Sequence, residues 1–287
     1  MTTLFASPLV QTALAGAGLI GALAGALGVF AVQRRQSLLG DVISHAALPG
    51  VCLGYLLAGQ RDLGALLAGA FASGALAALV LHQIITHTRL KQDAALGIVL
   101  SLFFAAGVVG LTYLQNRAGG AALALEGFLF GQAAAITPKD VGLLVSVAVG
   151  IALFLAAFWQ PLKLLSFDPQ GADLAGFPRK VLEAALTLTI ALAVVLGLQL
   201  VGVVLMVALL IAPAVAARAW TRSLGATVLL AATFGAGSGM AGALVSATAR
   251  GLSTGPVVVL IALAVVALSL IFAPERGVLA RRGQRHG

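Results

Sequence analysis

The sequence predicts an all-α fold, a polytopic membrane bundle of eight to nine transmembrane helices. Three observations predict it. The 287 residues are 61% hydrophobic and only 9% charged, where soluble domains carry about 25% charge. Mean hydropathy is +1.09. The apolar residues also fall into long, nearly uncharged runs, and a run of roughly eighteen residues or more can cross a bilayer as a helix.

Taken in order, these runs place spans at 9–32, 37–59, 63–85, 94–115, 140–162, 181–199, 200–217, 224–248 and 254–273. The division near Gln199 is the open one: 181–217 could instead be one span plus a half-helix, which gives eight. Residues 126–136 are apolar but too short to cross, and Pro138 follows them, so they read as an interfacial or re-entrant piece begun by a cap at Glu126. The whole chain, 1–287, reads as one membrane domain.

The charges orient the spans. With the N-terminus outside, thirteen basic residues fall inside (Arg34, Arg35, Arg89, Lys91, Lys163, Arg179, Lys180, Arg218, Arg222, Arg276, Arg281, Arg282, Arg285). Four fall outside: Arg61, Arg117, Lys139 and Arg250. Cytoplasmic loops are enriched in Lys and Arg, so the bias predicts N-out, C-in. The net charge of +8 is thereby assigned to loops. Nucleic-acid binding is excluded as a class, because no basic-aromatic surface domain exists to carry it. The lone Cys52 excludes an internal disulfide. No basic residue precedes Arg34, so the first run lacks the start of a secretory signal and reads as a retained span.

Small residues suit close helix packing. Gly21 with Gly25, and Gly235 with Gly239, have GxxxG spacing, which in lipid lets backbones approach; packing within one bundle is preferred here to a dimer motif. Residues 237–242 match GxGxxG but follow no strand, so they carry no nucleotide signal. The one long inner loop of mixed charge, 164–179, contains Asp168 followed by Pro169, the signature of a cap and a first-turn proline. A short helix is predicted from there to Gly176, with Pro178 ahead of the next span. A capped helix inside a connector suggests a docking element for a cytoplasmic partner.

The chemistry concentrates at Asp41 and His45. Residues four apart share a helix face, and ionisable side chains within a membrane span usually pair, line a cavity or handle an ion. An Asp–His pair is also a ligand set for a divalent transition metal. The alternative is a structural pair, with Asp41 near the interface beside Arg34 and Arg35. Pro49 cannot donate to the carbonyl of His45, and Pro213 cannot donate to that of Leu209. Both prolines are therefore candidate helix breaks that expose backbone at membrane depth. Cys52 lies near the same stripe but reads as a small packing residue. Asp93 reads as an N-cap, and His82 and His87 as interfacial residues at an inner helix end. No Gly-Lys dipeptide and no HExxH occurs, which excludes a Walker A loop and a zincin-type protease. No catalytic residue and no permanent cofactor is expected.

At these residues the chain resembles permeases of the manganese/zinc/iron ABC transporter family. The segment 33–50, containing Gly40-Asp41, Ser44-His45-Ala46 and Pro49-Gly50, is similar to that family's G-D-x-x-S-H-A-x-x-P-G pattern. Residues 93–99, 128–131, 167–172 with Gly176, and 201–213 match in the same order. Gln132 departs from an expected Asn, and Gln170 stands where an acid is commoner. The resemblance implies a multi-pass permease of the bacterial cytoplasmic membrane, working as a homodimer. It would partner two cytoplasmic ATPase subunits and an extracytoplasmic metal-binding protein. It implies Asp41 and His45 as ligands of the transported ion. It also implies a coupling helix within 164–179, carried by Phe167, Asp168, Gln170, Ala172 and Gly176. Protonating His45 would repel a metal, so uptake is expected to fall in acid. Two other readings stand beside this one. They are a permease for metal chelates such as siderophores or cobalamin, and a proton-coupled secondary carrier in which the pair relays protons.

Overall fold

The computed structural model describes residues 8–59, 62–118, 138–248, 253–274 and 277. Eleven helices and no strand occur among them: α1 (Pro8–Gln33), α2 (Leu39–Ala58), α3 (Leu63–His87), α4 (Gln92–Ala118), α5 (Pro138–Ala157), α6 (Trp159–Phe167), α7 (Pro169–Leu174), α8 (Arg179–Val201), α9 (Val203–Trp220), α10 (Leu224–Thr248) and α11 (Thr254–Phe272). Eight of these (α1 to α4 and α8 to α11) are each long and apolar enough to cross a membrane. A ninth span exists if α5 and α6 are counted together. The expected re-entrant piece 126–136, with Glu126, lies outside the described residues.

Three expectations need correction. The fifth span does not run straight through 140–162; it breaks after Ala157, and a new helix starts at Trp159. Pro161 supplies the reason. It has no N–H for the carbonyl of Ala157, but it is tolerated in the first turn of a fresh helix. The division expected near Gln199 falls at Gly202, whose φ of 84° is open to glycine and costly for other residues. Asp93 is not a cap: α4 begins one residue earlier, and the first helical carbonyl is that of Lys91, accepting from Ala95 N–H.

The helices form two compact units, each assembled from separate stretches of chain. One comprises residues 1–37, 133–159 and 204–287; the other comprises 38–132 and 160–203.

In the first unit α1 lies along α10 with backbones in contact. A Cβ on Gly21 would strike the Gly235 carbonyl, one on Gly25 the Ala231 carbonyl, and one on Gly239 the Ala17 carbonyl. The two GxxxG pairs of the sequence therefore meet within a single chain, as small-residue seams in lipid do. Gly28 meets the Leu210 carbonyl of α9 in the same way. Phe30 is fully buried and meets Trp159 edge-to-face at 6.3 Å.

In the second unit α2 is the central helix, flanked by α3, α4 and α8. Gly50 and Gly69 abut through their carbonyls, and Gly54 abuts Ala65, so α2 and α3 run antiparallel in backbone contact. On α4, Phe104, Gly107 and Gly110 meet His45, Leu48 and Cys52 of α2 in ascending order, so α2 and α4 run parallel. The α3 C-terminal end lies beside the start of α8, where Ala78, Leu79 and His82 face Ala184, Thr187 and Leu188 across a small cleft. The first turns of α2, the last turns of α3 and the first turns of α8 thus share one end of this unit.

Candidate metal site and the segment beside it

The helix α2 starts at Leu39, so Asp41 sits in its first turn and His45 in its second. No side chain caps this helix start, and a carboxylate in the first turn is favoured there by the helix dipole. That gives Asp41 a structural reason as well as a chemical one. His45 Nε2 lies 3.4 Å from Asp41 Oδ1, with 30% and 32% of the two side chains exposed. The distance is long for a hydrogen bond to a carboxylate. It fits another geometry. Two ligands at about 2.1 Å from one ion, subtending about 90° to 110°, stand about 3.0 to 3.4 Å apart. The His45 ring is steadied by Phe104, edge-to-face at 5.0 Å.

The other residues near this pair divide clearly. Cys52 is buried, its Sγ 3.9 Å from the Gly107 carbonyl and its Cβ against Gly110, so it fills the α2–α4 contact. Pro49 and Pro213 lie inside α2 and α9, and both helices continue through them. Neither proline divides its span. Each removes one N–H, which leaves the carbonyls of His45 and Leu209 without their usual helical donor. Among the described residues no group of three or more His, Cys, Asp or Glu could hold a metal. Among the described residues Asp41 and His45 are thus a pair of candidate donors, below the four to six that divalent metals take.

The predicted short helix is α7. The Asp168 side chain accepts from Gly171 N–H at 2.9 Å, and Pro169 opens the helix. At the other end Gly176 has φ 81°. Phe177 N–H reaches the Ala172 carbonyl and Gly176 N–H reaches that of Asp173, a Schellman ending that satisfies the last carbonyls. Of the five residues expected to couple, Phe167 and Gln170 are exposed, and Asp168 and Gly176 shape the two ends. Ala172 is fully buried and anchors α7 to its own unit instead of facing outward. Sequence reasoning missed Leu174, which is 90% exposed at the end of α7. A leucine on the outer side of a capped helix too short to span was the available signal. Arg179 was also missed; it lies between Asp173 and Glu183.

Known proteins resemble the chain along its length. It is 43% identical over 282 residues to the zinc transport system membrane protein TroC of Treponema pallidum, covering 98% of this chain and 95% of that one. It is 42% identical over 274 residues to the manganese transport system membrane protein MntC of Bacillus subtilis. That match covers 96% of this chain, which spans 63% of the length of the Bacillus protein. Among solved structures, PsaBC from Streptococcus pneumoniae in complex with Fab superposes with a TM-score of 0.83 at 32% identity, over 98% of this chain and 96% of that one. The model of the ABC 3 transport family matches residues 6–273, and the chain belongs to that family.

Proposed function

We propose that this chain is the multi-pass permease subunit of an ATP-driven importer in the cytoplasmic membrane, carrying a divalent transition metal ion: manganese, zinc or iron. The observation that carries the reading is the half-exposed Asp41–His45 pair, 3.4 Å apart on α2. The relatives named for manganese and zinc transport support an ion over a chelate as cargo. The ion is substrate, held in passing by a carboxylate and an imidazole.

Two ligands per chain do not complete a coordination shell, so a second copy of the permease supplies two more. The homodimer then offers two carboxylates and two imidazoles to one ion, a set that suits several first-row metals. ATP is hydrolysed by a separate cytoplasmic subunit, which docks at α7 through the exposed Leu174 and at Phe167, the last residue of α6. An extracytoplasmic binding protein delivers the metal from the other side. The distribution of basic residues supports N-out, C-in, which puts α7 in the cytoplasm.

Uptake of radiolabelled manganese and zinc into vesicles tests this, comparing the wild type with Asp41→Ala and His45→Ala at matched membrane levels. Loss of uptake in both variants, with the ATPase still bound, is the expected result. Unchanged uptake in both would make the pair structural and remove the ion path from α2.

A further inference from the structure

Arg179, the first residue of α8, is built against the local rules of its helix. A cation in a first turn opposes the helix dipole. A basic residue four positions ahead of an acidic one is also the poorer order for an i,i+4 pair. Yet Arg179 is engaged on both sides. Its Nε donates to Glu183 Oε1 at 3.1 Å, and its Nη1 lies 3.9 Å from Asp173 Oδ2 on α7. The Glu183 side chain is only 15% exposed, while those of Arg179 and Asp173 are 40% and 54% exposed. A cytoplasmic position explains a positive charge here but not its contact with two carboxylates on different helices. Side chains that break local rules this way mark function more often than stability.

The link leads into the unit. Beyond Glu183, α8 runs against α3 at the His82 cleft. Further along, Val195 of α8 and Ile43 of α2 both border Gly74 of α3. Ile43 lies between Asp41 and His45 in the chain. From α7 to the Asp41–His45 pair the neighbours are thus Arg179 and its helix α8, Gly74 of α3 and Ile43 of α2, the first link being the 3.9 Å ion pair to Asp173. The fork of an arginine can hold two carboxylates in fixed directions; a lysine cannot.

We propose that Arg179 is a positioning residue for transport: it fixes α7 to α8, so that a displacement of α7 by the ATPase reaches α2 and its Asp41–His45 pair. The inference rests on the permease reading above. An exposed ion pair adds little to folding, so its removal is expected to leave the bundle intact.

The test uses the complete transporter with its ATPase and binding protein in proteoliposomes, reading ATP hydrolysis and radiolabelled manganese uptake together. If the wild-type chain binds no ATPase, the permease reading fails before Arg179 is at issue. Given a working complex, Arg179→Ala and Asp173→Asn should each lower the metal moved per ATP by about fivefold or more while hydrolysis continues. Arg179→Lys should recover only part of it. An unchanged ratio in both variants overturns the proposal, as does an equal fall of hydrolysis and uptake, which would mark a docking or folding role. If Arg179→Ala does not assemble, Asp173→Asn and Arg179→Lys decide by the same ratio.

Discussion

The two faces of α2 are built on different principles. At 100° per residue, Gly50, Gly54 and Ile43 fall on one side, and Asp41, His45, Leu48 and Cys52 on the other. Toward α3 the contact is backbone on backbone, through Gly50–Gly69 and Gly54–Ala65. Toward α4 it is side chain on glycine or ring, through Leu48–Gly107, Cys52–Gly110 and His45–Phe104. A backbone seam cannot yield without moving a helix. A side-chain seam can yield by rotation where the touching atoms lie beyond Cβ. Asp41 and His45 both sit on the side that faces α4, which suits the binding and release of an ion proposed for them.

The same glycine-to-alanine change separates the two faces. Gly50→Ala sets a methyl against the Gly69 carbonyl, with no rotamer to relieve it, and should cost about 3 kcal/mol. Loss of folded protein from the membrane and a lowered unfolding midpoint in detergent would report it. Near-normal stability would show that α2 and α3 can separate. Next in size is the chemistry: His45→Ala should cut manganese and zinc uptake at least tenfold, about 1.4 kcal/mol or more, while the unfolding midpoint stays near the wild type. A variant that loses both would return His45 to a packing role.

Smaller effects sharpen the contrast. Gly107→Ala meets Leu48 at Cβ, Cγ and Cδ2 but no backbone carbonyl, so about 1–2 kcal/mol is expected; a cost equal to that of Gly50→Ala would erase the distinction. Least of all, Cys52→Ala should leave uptake and metal preference unchanged, since its sulfur is buried against Gly107. A shift in the preference between zinc and manganese would make it a ligand.

What the sequence disclosed follows from how local each signal is. Apolar runs marked the spans because the bilayer demands length. The spacing of Asp41 and His45 put them on one face because a helix turns every four residues or so. Asp168, Pro169 and Gly176 marked α7 because capping is local chemistry. The break after Ala157 was written in Pro161, but a proline kink and a proline start look alike until the helix is seen to end. The clamp at Arg179 joins residues six positions apart across a turn, which no periodicity reveals. Nor does composition say that Leu174 points outward; that depends on Ala172 pointing in.

Leu174 has a consequence for how the chain is made. It is an apolar side chain, 90% exposed, on a helix too short to span a membrane. Held in water without a cover, such side chains invite association with anything similar. A subunit synthesised ahead of its partner would carry this liability on every copy. If α7 is the docking helix proposed above, balanced expression of the two is a condition for keeping the permease out of aggregates and away from quality-control proteases.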